Sequence, residues 1–198
     1  MNCPIKKICS VICAFALAVS VTACGTSKAL SKADLSIYDS NGKEVDFITE
    51  GQDYITLSDE NKQKNGNFQT KQGIKIGERA TDVLSKYDVS KMRWFAAVRK
   101  SDKIVQDDLE KSIKGKYKDA AEAITHSGDF TKSTNTELID MDVIGTYTID
   151  KNNNLQQVEV TDDGQPKNKD KDEKYYIIDF TIIDEKVSDV MLGRLIVK

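Results

Sequence analysis

The stretch LIDMDVIGTYTIDKNNNLQQVEVT, residues 138–161, decides the fold class, because the spacing of apolar residues changes there from a helical to a two-residue period. Val143, Gly145, Tyr147 and Ile149 alternate with Asp142, Ile144, Thr146 and Thr148, as in a strand with two unlike faces. The turn-rich run Asp150 to Asn154 reverses the chain, and Leu155 to Thr161 reads as the returning strand. A charged loop, Asp162 to Lys174, leads to Tyr175–Asp184, where Tyr176, Ile178, Phe180 and Ile182 share a face. Glu185-Lys186 turns the chain into a last strand, Val187 to Val197. None of these connections has room for a crossover helix, so the expectation is a four-stranded antiparallel sheet.

Upstream of residue 138 the signals are helical. Val105, Leu109, Ile113, Tyr117, Ala120 or Ala121, and Ile124 recur at three or four residues, predicting a long helix over 102–126 with Ser101 as N-cap, Gly128 just beyond, and Gly115 as a point where it bends or splits. Ala80, Val83, Leu84 and Tyr87 predict a shorter helix from about Glu78 to Tyr87. Between them MRWFAAVR, residues 92–99, is too short and apolar to assign by period. Residues 58–72 carry almost no apolar side chains and read as an exposed loop. Leu35–Tyr38 and Val45–Ile48 flank Asn41-Gly42, a strong hairpin signal.

The first 24 residues have a different character. Lys6 and Lys7 precede an apolar run from Ile8 to Val21, about 14 residues against the roughly 20 that a spanning helix needs, so an export signal is the better reading. Its end, Val21-Thr22-Ala23-Cys24, resembles the lipobox of bacterial lipoproteins. That resemblance implies cleavage after Ala23 and a diacylglyceryl thioether on Cys24, with the domain displayed outside the cytoplasmic membrane; two acyl chains anchor stably where one does not. The organisation expected is a signal peptide over 1–23, a lipidated tether over 24–33 and one α+β domain over 34–198. Within it, 34–72 forms a hairpin and loop and 73–198 a helix-helix-sheet module.

All four cysteines lie in residues 1–24, which leaves the domain no disulfide and no thiolate metal site. About 175 residues beyond Cys24 suffice for one core. Losing residues 1–23 removes two lysines and no acid, moving the formal net charge from −3 to −5. That mildly acidic surface, with no basic cluster, argues against nucleic acid as a partner.

The phrase Gly73-Ile74-Lys75-Ile76-Gly77, followed by Asp82-Val83-Leu84 and Tyr87, resembles the opening of BLIP-like (beta-lactamase-inhibitor-protein-like) modules of envelope lipoproteins. The chain departs from that pattern at Asp88, where a glycine often stands, and in the length of its second helix. The resemblance implies a helix-loop-helix followed by a four-stranded sheet, with a binding or scaffolding role.

Catalytic chemistry has little to draw on. His126 is the single histidine and falls in the last turn predicted for the long helix, where a partly protonated imidazole complements the helix dipole. Asp107/Asp108, Asp140/Asp142 and Asp162/Asp163 stand in polar settings, whereas paired acid and base work needs one carboxyl in an apolar pocket. Asp150 to Asn154 opens like an EF-hand loop, yet its sixth position is Leu155 and its twelfth Thr161, so a turn is the reading. No glycine loop fits a nucleotide phosphate. No enzyme activity, cofactor or metal is therefore expected.

The function expected is a membrane-anchored extracytoplasmic module that binds another envelope or extracellular protein. Arg93, Trp94, Phe95 and Arg99 form its candidate patch, since Trp and Arg are favoured at binding hot spots. As a structural alternative, Trp94 and Phe95 belong to the core. A small-ligand or peptide sensor is the functional alternative, using a pocket lined by Tyr147 and Tyr176; an enzyme without a recognisable motif comes third.

Overall fold

Alternation along residues 138–149 sets the architecture, because Ile139, Met141, Val143 and Tyr147 must all be buried on one side. The computed structural model describes residues 29–49, 51–58, 67–100, 102–134, 137–170 and 172–196. The lipobox, Cys24, the Ser101 cap and Val197 lie outside them.

Among the described residues ten strands form in chain order: β1 (Ser36–Tyr38), β2 (Glu44–Phe47), β3 (Tyr54–Thr56), β4 (Gln69–Thr70), β5 (Arg93–Arg99), β6 (Lys132–Ser133), β7 (Leu138–Ile149), β8 (Leu155–Gln157), β9 (Tyr175–Ile183) and β10 (Lys186–Leu195). The helices are α1 (Ala80–Lys86), α2 (Lys103–Lys116) and α3 (Ala120–Thr125). A seven-stranded sheet runs β3-β10-β9-β7-β5, with β6 and β8 also paired to β7. A three-stranded sheet runs β2-β1-β4. Every strand pairing among the described residues is antiparallel.

This corrects the expected helix-loop-helix and four-stranded sheet. MRWFAAVR is strand β5, paired to β7 from Arg93↔Ile144 to Arg99↔Leu138, so a strand separates α1 from α2. Beyond the hairpin, residues 54–56 add a further strand beside β10, and residues 69–70 pair with β1 rather than staying in an exposed loop. The returning strand after Asn154 is cut to three residues. The long helix is two helices. Its break comes at Tyr117–Asp119, where Tyr117 turns its ring inward against Trp94 and Phe130, with ring centroids 6.2 and 5.4 Å away, and the Asp119 carboxylate caps α3 by accepting from Glu122 N at 2.8 Å. Burying an aromatic ring outweighs the one backbone turn lost. Asp102 caps α2, accepting from Ile104 N at 2.9 Å.

Helices α1, α2 and α3 pack on one face of the large sheet. Ala80 and Val83 of α1 with Tyr87 just beyond its end, Ile113 of α2 and Ala120, Ala123 and Ile124 of α3 share one buried cluster with Met141, Val143, Phe180, Ile182, Val190 and Leu192. Tyr87 lies edge-on to Phe180 at 4.8 Å, and its hydroxyl donates to Thr70 Oγ1 at 2.9 Å, joining α1 to the small sheet. Gly145 makes room on the same face: a Cβ there would stand 2.5 Å from the Tyr147 hydroxyl oxygen. No helix among the described residues is long and apolar enough to cross a membrane.

Candidate functional site

Strand alternation sends every second residue of the large sheet away from the helices. Directly opposed residues share a face, so the registers Phe95↔Asp142↔Thr181↔Asp189 and Arg93↔Ile144↔Asp179↔Met191 define rows across four strands. Asp140 lies beside Ala97 on the same side. Ile144, Ile177, Met191 and Phe95 take no part in the core cluster, and Phe95 is 37% exposed. This far face is an apolar rim around carboxyl groups.

Each carboxyl has a different environment. Asp189 is well supplied, accepting from Ser58 N at 3.0 Å and Ser58 Oγ at 2.6 Å. Asp142 Oδ1 accepts from Thr181 Oγ1 at 2.8 Å, but burial still pushes its carboxyl above the ordinary range. Asp140 Oδ2 is 2.9 Å from Arg99 Nε, while Oδ1 is buried without a partner; burial raises this carboxyl too, against the opposing pull of Arg99. Asp179 is the extreme case. It is 8% exposed, its Oδ1 has no partner, and burial, reinforced by the charges of Asp142 and Asp189, pushes its pKa up to about 8 despite Arg93. A carboxyl in that setting holds its proton at neutral pH.

At the other end of this face, the segment after β8 folds back over the strands. Arg93 Nη1 donates to Asp162 O at 2.7 Å, and Tyr175 donates to Asn168 O while accepting from Asp170 N. Gly164, at φ +82°, presses on the Arg93 guanidinium, where a Cβ would stand 2.5 Å from Nη2. Arg93 is thereby fixed at Asp162 and Gly164, and its charge still acts on Asp179.

The four residues of the candidate patch are consequently divided. Arg93, Phe95 and Arg99 stand together on the far face, and Trp94 points the other way, half-buried against Tyr117 and Phe130. Consecutive residues of a strand cannot share a face, a fact hidden while 92–99 had no assigned period. Asp140 and Asp142, read as polar-setting carboxyls, are buried, and Asp179 was missed. Its signal was present in YYIIDFTII, an aspartate within an otherwise apolar strand.

Other candidates have structural roles. His126 ends α3, stacks on Tyr117 at 5.6 Å and places Nδ1 3.8 Å from Asp129 Oδ2. The Asp150 carboxylate accepts from Asn152 N and Asn154 N, shaping the β7–β8 turn. Among the described residues no three His, Cys, Asp or Glu side chains are placed to hold a metal ion.

Tyr147 and Tyr176 stand opposite each other on β7 and β9, but Tyr147 does not line the cleft that Tyr176 borders. Tyr147 is buried with its hydroxyl unpartnered, whereas Tyr176 borders a cleft of about 650 Å³ between the small sheet and the ends of β7, β9 and β10. Leu35, Phe47, Ile48 and Ile149 supply its apolar wall, and Lys32, Lys174 and Arg194 its cations. No family model, curated protein or solved structure matches this chain.

Proposed function

We propose that the chain is a lipid-anchored extracytoplasmic binding module that holds a protein partner on the far face of its seven-stranded sheet. The observation that carries this reading is the sheet's one-sidedness: helices cover one face, while the other offers Phe95 between Arg93 and Arg99 and a floor of four aspartates. With Asp179 protonated at neutral pH and Asp140 paired to Arg99, the floor carries little free negative charge, so Phe95, flanked by Arg93 and Arg99, is the anchor for a partner. The lipobox residues Val21 to Cys24 support placement at a membrane.

In-cell crosslinking followed by affinity recovery tests the reading, with Cys24→Ala as the unanchored control and Phe95→Ala/Arg99→Glu as the face control. One discrete protein recovered with the wild type and lost with both controls is the expected result. Recovery indifferent to the face variant removes the far face as the docking site. A second reading rests on the buried carboxyls Asp142 and Asp179, which could serve as acid and base. Hydrolysis of any tested glycoside or ester that disappears in Asp179→Asn while the fold is kept would put catalysis first.

A further inference from the structure

The cleft of about 650 Å³ has a charge pattern unlike the far face. Lys32 and Lys174 are exposed and Arg194 is half-buried, and none of the three side chains has a hydrogen-bond or ion-pair partner among the described residues. Among the described residues Glu44 is the one acid on its wall, where its Oε2 accepts from the Tyr38 hydroxyl at 3.4 Å. Asp172 and Glu173 border the smaller hollow next to it, which Lys32 and Lys174 also line. Three unpartnered cations around one space attract an anion.

The rim adds apolar surface. Phe47 is 52% exposed on the cleft wall, beside Ile48. Cations interleaved with exposed aromatic and aliphatic side chains suit the boundary between phospholipid headgroups and acyl chains.

Chain geometry says which membrane. Ser31 and Lys32 line the cleft and are also where the chain arrives from Cys24, seven residues before Ser31. Seven extended residues span at most about 25 Å. Ser31 is held firmly at that point: its N–H donates to Asp34 Oδ2 at 2.8 Å, and Asp34 Oδ1 accepts from Gln72 Nε2 at 2.6 Å. An anchor at Cys24 therefore keeps the cleft within about 25 Å of the bilayer that bears the lipid.

We infer that this cleft docks on the anionic phospholipid surface of the anchoring membrane, Lys32, Lys174 and Arg194 receiving a headgroup phosphate while Phe47 enters the interface. Docking there turns one end of the large sheet toward the bilayer and leaves the far face along the sheet open to a partner. The inference rests on the lipid-anchor reading for its choice of membrane, and the cation cleft can be tested separately.

The test uses the full chain purified from membranes, its Cys24 modification read by intact mass, and reconstituted in vesicles of phosphatidylcholine alone or with 30% phosphatidylglycerol. Hydrogen exchange is followed at residues 44–49 and 174–176. Slower exchange with phosphatidylglycerol only, lost in Lys32→Ala/Lys174→Ala/Arg194→Ala, is the expected result. Equal exchange in both vesicles, or protection retained in the triple variant, overturns it. Protection reproduced by free glycerol phosphate without vesicles also overturns bilayer docking and makes a soluble phosphate ester the ligand. Lys32→Ala/Lys174→Ala, confined to exposed side chains, guards against a variant that fails to fold. If intact mass finds no lipid, the anchor reading fails by itself, and co-sedimentation of that unlipidated chain with the same vesicles decides the cleft. The triple variant should then lose roughly 100-fold in partitioning.

Discussion

Replacing Asp179 by Asn should make the protein more stable at neutral pH and remove much of the pH dependence of its stability. Burial raises the Asp179 pKa from 3.8 to about 8. The folded state therefore holds this proton more tightly than the unfolded chain. The sign follows: the contribution of Asp179 is fully present below pH 3.8, is lost progressively as pH rises, and levels off above about 8. Between pH 5 and 7 that loss amounts to about 2–3 kcal/mol, close to the limiting slope of about 1.4 kcal/mol per pH unit for one proton. Asn keeps the shape and cannot ionise, so its curve lacks this slope. Urea unfolding at pH 5, 6, 7 and 8 measures the difference, and the single tryptophan, Trp94, packed against Tyr117 and Phe130, is a built-in reporter. Asp140 and Asp142 are raised as well, and their slopes remain in both proteins, so the comparison isolates Asp179. Wild type and variant losing stability in parallel from pH 5 to 8 would refute the reasoning, because Asp179 would then be charged and compensated in the folded state.

Three further substitutions test other contacts. Arg99→Ala strips the buried Asp140 of its 2.9 Å ion pair and should raise that carboxyl further, destabilising the fold by about 1–2 kcal/mol at pH 7 and by much less near pH 4, as pH-resolved unfolding would show. Gly145→Ala forces a methyl group into the Tyr147 ring and should cost about 1–3 kcal/mol, whereas Gly145→Ala combined with Tyr147→Leu recovers part of it in thermal melts. Tyr87→Phe leaves Thr70 without its buried 2.9 Å partner and should lower stability by about 1 kcal/mol with no change in the circular dichroism spectrum.

The parts of the fold legible in the sequence are those whose cause is local. Strand β7 and the pair β9–β10 could be read from a two-residue period and short connections, and α1 from Ala80, Val83 and Tyr87. The hairpin β1–β2 followed from Asn41-Gly42, with Gly42 at φ +78° as a turn there requires. Strand β5 could not be read, because seven residues with apolar side chains on both faces satisfy helix and strand alike. The break between α2 and α3 was also hidden. Its helical spacing continues unbroken through Tyr117, and only the presence of Trp94 and Phe130 across the core makes leaving the helix favourable.

The same division runs through the candidate site. By itself the sequence determined the lipobox resemblance at Cys24, the cysteine-free domain, the alternation of the long strands and their antiparallel order, because each is a property of neighbours along the chain. The tertiary structure decided how many strands join the sheet, which way Trp94 and Phe95 point, and that Asp179 is buried beside Asp142 and near Asp189. Those facts arise where β5, β7, β9 and β10, distant in sequence, come side by side. Desolvation and charge repulsion depend on what surrounds an aspartate in space, so its chemistry exists only once the sheet has formed.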